Sequence, residues 1–167
     1  MRKSFVTLLV SGILCVPVTG ISIAADLIGE PAPDFALRST SGKNFRLSEF
    51  RSEVVVLTFW SDWCGKCRSA LPVLDSVYKQ YKLDGLQMLG VDVDGDLAAA
   101  GEFAAENGIV YPVLADSDQS VSRTYDLNQM PLSVVLDREG RVRYVHAGLG
   151  SSDGQLLAAE VAELLAE

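Results

Sequence analysis

The 167-residue chain is poor in the side chains that build metal centres and nucleic-acid surfaces. It has one histidine, His146, and three cysteines. A structural zinc site normally takes four cysteine or histidine ligands, and beside the pair Cys64 and Cys67 a second pair is missing. Acidic residues outnumber basic ones 22 to 14, a formal net charge of −8, and no basic cluster interrupts the excess. That balance excludes the positive footprint of a nucleic-acid-binding protein. Internal repeats, low-complexity stretches and long linkers are also missing, and the length suits one domain.

A long apolar run is present, but just once. Arg2 and Lys3 precede the uncharged stretch FVTLLVSGILCVPV, and SIAAD then offers small residues around Ala24 and Ala25. This order predicts a secretory signal over residues 1–25, followed by a domain over 26–167. The alternative is an uncleaved membrane anchor, because Phe5 to Ala25 carries no charge and is just long enough to span a bilayer. Cys15 follows Leu14, where bacterial lipoprotein signals have a small residue, which argues against a lipid anchor. Without residues 1–25 the chain keeps 12 basic and 22 acidic residues, a net charge of −10. It also keeps two cysteines, Cys64 and Cys67. An exported chain works where disulfides persist. The expected location is therefore the periplasm or the outside of the cell envelope, with membrane contact if the signal stays attached.

The pattern along 26–167 alternates strands and helices. DFALRSTSGKNFRL reads as a hairpin around Ser41 and Gly42, with Ser48 as the expected cap of a single helical turn, SEF. EVVVLTFW (53–60) is β-branched and aromatic throughout, as in a central strand buried on both faces. Ala70, Leu74, Val77 and Tyr81 then recur at helical spacing, with Pro72 as an expected kink. LQMLGVDVD (86–94) predicts a second strand, and 97–108 a helix ended by Asn107 and Gly108. A short strand, a short helix, a hairpin turning at Glu139 and Gly140, and a closing helix capped by Ser152 or Asp153 complete the order. A right-handed β-α-β crossover plus a terminal hairpin predicts an α/β fold, a mixed sheet with helices on both faces.

Cys64 falls where strand 53–60 hands over to the next helix. Helix N-termini present unpaired N–H groups and the positive end of the macrodipole, which favours thiolate. Cys67, three residues on, shares that face and lies within reach of a disulfide. This makes Cys64 the candidate nucleophile and Cys67 the resolving thiol. Lys66 and Arg68 add positive charge nearby. Other readings stay open at this point. A structural disulfide over so short a loop would constrain the unfolded chain little. A copper-binding module could use Cys64, Cys67 and His146. The peroxiredoxin pattern Pro-x-x-x-Thr-x-x-Cys fails, because Leu57 and Ser61 occupy its first two named positions.

FWSDWCGKC resembles the Trp-x-x-Trp-Cys-x-x-Cys signature of the thioredoxin superfamily, and Pro72, eight residues after Cys64, matches its helix proline. MPLSVVLDREGRV is similar to the segment that carries the superfamily's cis-proline, which places that residue at Pro131. The entry GEPAPDFALRSTSGKNFRLSEF and the extra unit around VDVDGDLAAAGEFAAENGIVYPVLADSD resemble the exported TlpA/ResA-like thiol–disulfide oxidoreductases, relatives of the AhpC/TSA-like branch. The resemblance covers residues 27–166. It implies a thioredoxin fold with an N-terminal β-hairpin and an extra central β-α unit, and no cofactor. It also implies that Cys64, Cys67 and Pro131 carry the chemistry, and that Trp63, Gly65, Lys66 and Met130 line the substrate groove. Trp60 is expected to pack at the strand end.

The implied activity is reduction of exported proteins of the cytochrome c or copper-site maturation type, with a membrane thiol-reducing system as electron donor. Lys66, which stands where thioredoxin has proline, motivates the alternative of a dithiol oxidase or isomerase. Thr58 occupies the position of thioredoxin's buried aspartate. Another group must then take the proton of Cys67, and Asp62, Asp92, Asp94 and Glu102 are the candidates, with Asp62 expected to be solvated.

Overall fold

Branched and aromatic residues from Val54 to Trp60 leave no polar edge for solvent except Thr58, and all seven are buried in the centre of one sheet. The computed structural model describes residues 26–167. The signal or anchor expected over 1–25 lies outside the described residues. The strands are β1 (Ala36–Ser39), β2 (Asn44–Arg46), β3 (Val54–Trp60), β4 (Leu86–Asp92), β5 (Val113–Ala115), β6 (Leu132–Leu136) and β7 (Val142–Ala147). Their order across the sheet is β2-β1-β5-β4-β3-β6-β7. β3, β4 and β5 run parallel, as helical crossovers require, and the remaining neighbours are antiparallel. The sheet is mixed, as expected, and the N-terminal hairpin extends it beyond β5.

Among the described residues four helices flank it: α1 (Gly65–Tyr81), α2 (Leu97–Glu106), α3 (Ser120–Thr124) and α4 (Gly154–Ala166). One core joins Leu71 and Leu74 of α1, Phe103 of α2 and Leu157 of α4 to Val56, Trp60 and Met88 of the sheet. The opposite face packs Phe59, Leu89 and Val134 against Phe35, Leu47 and Val121. Helix α1 runs continuously through Pro72. Asp96 caps α2 by accepting from the N–H groups of Ala98 and Ala99 at 2.8 and 3.0 Å. Gly90 is required by a close approach, since a Cβ there would lie 2.9 Å from Cε2 of Tyr111 and 3.0 Å from Nε1 of Trp60.

Two expected caps differ. Residues Leu47–Phe50 form a 3-10 turn, but Ser48 lies inside it. The Ser48 N–H and hydroxyl donate to Asp34 at 2.9 and 3.0 Å, so a carboxylate from the segment before β1 replaces the local cap. Partial burial works to raise the Asp34 pKa. Hydrogen bonds from Ser48 and Arg46 outweigh it and hold the carboxyl below its ordinary range. Asp34→Ala is expected to cost about 1 kcal/mol, measured as a lower urea midpoint with an unchanged slope. Asp153 does flank α4, yet its carboxylate turns back to accept from the Gly150 N–H at 2.7 Å, leaving the helix without a side-chain cap.

Candidate active site

β3 ends at Trp60, and four residues later Cys64 caps α1 from an extended backbone. Its Sγ accepts from the Cys67 N–H at 3.1 Å, which satisfies one of the unpaired donors of the first turn. Cys64 and Cys67 are joined as a disulfide with Cα atoms 5.2 Å apart. Their exposures differ: Cys64 keeps 8% of its surface and Cys67 none.

Trp63 is 70% exposed, and its indole N–H donates to Asp94 at 2.9 Å, so the ring is held out on the rim. Trp60 is fully buried and stacks on Phe103, with centroids 5.0 Å apart. Gly65 and Lys66 are exposed. A Cβ at Gly65 would meet nothing within 4 Å, so a partner can approach this turn. The Met130–Pro131 peptide bond is cis, and Pro131 is buried while its carbonyl accepts from the Gly148 N–H at 2.7 Å. Met130 is half-buried and packs against both cores.

Met130 and Trp63 also line a surface groove with Val93, Gln119, Ser122 and Leu127. Sequence reasoning found Trp63 and Met130 but missed the others. They come from loops after β4 and around α3, where no hydrophobic period marks them.

Arg68 places its guanidinium 5.1 Å from the centroid of Phe103, so it serves the α1–α2 contact. Three carboxylates gather on the other side. Asp94 accepts from the Asp62 N–H at 3.2 Å and from Trp63, and Asp92 accepts from the Gly95 N–H at 3.0 Å. Of the four proton acceptors considered, Asp62, Asp94 and Glu102 are exposed and Asp92 is buried. Asp92 is pushed up to about 6, first by burial and then by the negative charge of Asp94, with Asp62 adding to it. N–H donation from Gly95 and Asp94 opposes the rise.

His146 does not join the cysteines. Its Nε2 lies 2.6 Å from Glu160 of α4. Among the described residues, no three His, Cys, Asp or Glu side chains converge in a metal-binding group. The copper reading therefore lacks its third ligand.

The chain's relatives bear on this geometry. The model of the AhpC/TSA family matches residues 28–145. The chain belongs to the AhpC/TSA family. This family member is 33% identical over 120 residues to the thiol-disulfide oxidoreductase ResA of Bacillus subtilis, covering 72% of this chain and 67% of that protein. It is 31% identical over 121 residues to ResA of Geobacillus kaustophilus, covering 72% and 70%. A solved structure described as a thiol:disulfide interchange protein DsbE, from Chlorobium tepidum, superposes with a TM-score of 0.76 at 33% identity, over 81% of this chain and 95% of that one. The AhpC/TSA chain is thus a thiol–disulfide oxidoreductase of the ResA and DsbE type, on the thioredoxin fold that its sequence resembles.

Proposed function

We propose that this oxidoreductase works outside the cytoplasm and reduces disulfides of exported proteins, of the cytochrome c or copper-site maturation type. Residues 1–25 direct the export, and 26–167 do the chemistry. The observation that carries the reading is the unequal burial of the pair: Cys64 reaches the surface at a helix N-terminus and Cys67 is sealed beneath it.

In the reduced protein the Cys64 thiolate attacks one sulfur of a substrate disulfide, and the substrate's other sulfur leaves as a thiolate. Cys67 then loses its proton and attacks Cys64. The Cys64–Cys67 bond forms as the substrate's remaining thiolate departs. The substrate gains two electrons and the enzyme dithiol loses two. A membrane thiol-reducing system restores the dithiol. Pro131 offers no N–H to compete for the sulfurs, and the backbone at Met130 receives an extended segment of the substrate. Trp63, Gly65 and Lys66 form the facing wall. The exposed Trp63 and the open ground at Gly65 support this placement.

A Cys67→Ala variant tests it. Expressed in its own host, this variant is expected to accumulate mixed disulfides that collapse on reduction, and their mass spectra name the substrates. A variant that also carries Cys64→Ala should trap nothing. Absence of adducts from the single variant would count against the reading. The direction of electron flow is checked by a glutathione redox titration, where a potential well above the glutathione range favours the oxidase alternative.

A further inference from the structure

Thr58, Ser133 and His146 line up across three adjacent strands. Antiparallel register sets Thr58 of β3 opposite Ser133 of β6, and Ser133 opposite His146 of β7. Residues paired this way point to the same face, with Cβ atoms about 4.5–5.5 Å apart. Their neighbours two along the strands, Val56, Trp60, Val135 and Tyr144, belong to the core that contains Cys67. The row therefore lies on the face that α1 and α4 cover, with Thr58 beneath the active-site helix.

Its inner end is dry and its outer end is not. Thr58 and Ser133 have no exposed surface, and Ser133 Oγ donates to Thr58 Oγ1 at 3.3 Å. At the outer end His146 Nε2 meets Glu160 at 2.6 Å, and these side chains keep 18% and 12% of their surface. The two buried hydroxyls carry two O–H protons and share one hydrogen bond. Among the described residues neither hydroxyl makes another. The Thr58 O–H proton is not used in its bond with Ser133, so Thr58 is free to donate as well as accept.

We propose that Thr58, Ser133, His146 and Glu160 form the proton path of the buried Cys67 thiol. The proposal rests on the Cys64 and Cys67 roles given above. When Cys67 attacks the mixed disulfide, its proton passes to Thr58 Oγ1. Thr58 hands its own proton to Ser133 Oγ, and Ser133 hands its proton to the imidazole of His146. The Nε2 proton then leaves through Glu160 to solvent. Cys67 is left as the thiolate that forms the S–S bond, and no oxidant beyond the substrate disulfide is consumed. Re-reduction runs the path in reverse. Glu160 faces His146 from α4, Ser133 faces it from β6, and Tyr144, two residues along β7, interacts with Glu163 and Glu160.

Ellman's reagent separates the two sulfurs, because reduced protein releases thionitrobenzoate once when Cys64 attacks and again when Cys67 resolves. Thr58→Val and His146→Gln are expected to slow the second release about tenfold or more near neutral pH, with the first release unchanged. The deficit should close at alkaline pH, where hydroxide takes the Cys67 proton directly, and Thr58→Ser should restore the rate. Wild-type second release in both Thr58→Val and His146→Gln would overturn the path. So would a deficit that persists at high pH, or one that appears in Asp92→Asn instead. Loss of the first release would count against the Cys64 role rather than against the path. His146→Gln keeps a side chain at the protein edge, so the test survives if Thr58→Val folds poorly.

Discussion

Cys64→Ser is expected to lower disulfide exchange to the level of a protein-free control, a loss of at least about 10³-fold. Catalysed reduction of insulin by dithiothreitol would read it out. The reason is specific to the geometry. Cys67 has no exposed surface and cannot meet a substrate sulfur in place of Cys64. The substitution should do little else. Serine is among the preferred residues at a helix N-cap, and its Oγ can keep the Cys67 N–H bond that Cys64 Sγ now accepts at 3.1 Å. Reduced wild-type and variant proteins are therefore expected to unfold within about 1 kcal/mol of each other. In the reduced wild type, iodoacetamide should alkylate Cys64 well before Cys67. Measurable exchange by Cys64→Ser, routed through Cys67, would undo the assignment of roles.

The cysteine pair was legible from sequence because its information is local. A β-branched strand, a helix start and a three-residue spacing already put both sulfurs on one turn. The same holds for Trp63, whose place beside Cys64 leaves it at the rim. Proton handling was not legible, because it depends on register. Asp92 and Asp94 look alike in VDVD. Asp92 is paired with Trp60 in the parallel ladder and is buried, whereas Asp94 lies past the strand end and holds the Trp63 indole. Arg68 has a contact that was hidden for a related reason. Its charge is drawn to Phe103, and that contact exists only once α2 has packed beside α1. Ser48 and Asp34 show the same limit at the entry hairpin, where a carboxylate 14 residues away does what a local serine was expected to do.

Asp92→Asn is expected to make the protein more stable at pH 7.5 by about 2 kcal/mol, with the gain fading towards pH 4. The carboxyl is buried at the end of β4 and lies close to the charge of Asp94, so the fold favours its neutral form and raises its pKa to about 6. An unfolded chain returns it to about 3.9. The neutral carboxyl's contribution is thus fully present below about pH 4 and is lost as pH rises through 6. Asparagine stays neutral throughout, and its carbonyl can still accept from the Gly95 N–H that Asp92 now binds at 3.0 Å. Guanidinium unfolding of the oxidised proteins at pH 4, 6 and 7.5 gives the comparison. Parallel stability curves for the two proteins would show that Asp92 carries its charge in the fold without strain. The consequence reaches the site, because Asp92 repels the same Asp94 that pins Trp63. Above pH 6 the charged pair should loosen that pin, and Trp63 fluorescence should shift through the same range in the wild type but stay flat in Asp92→Asn.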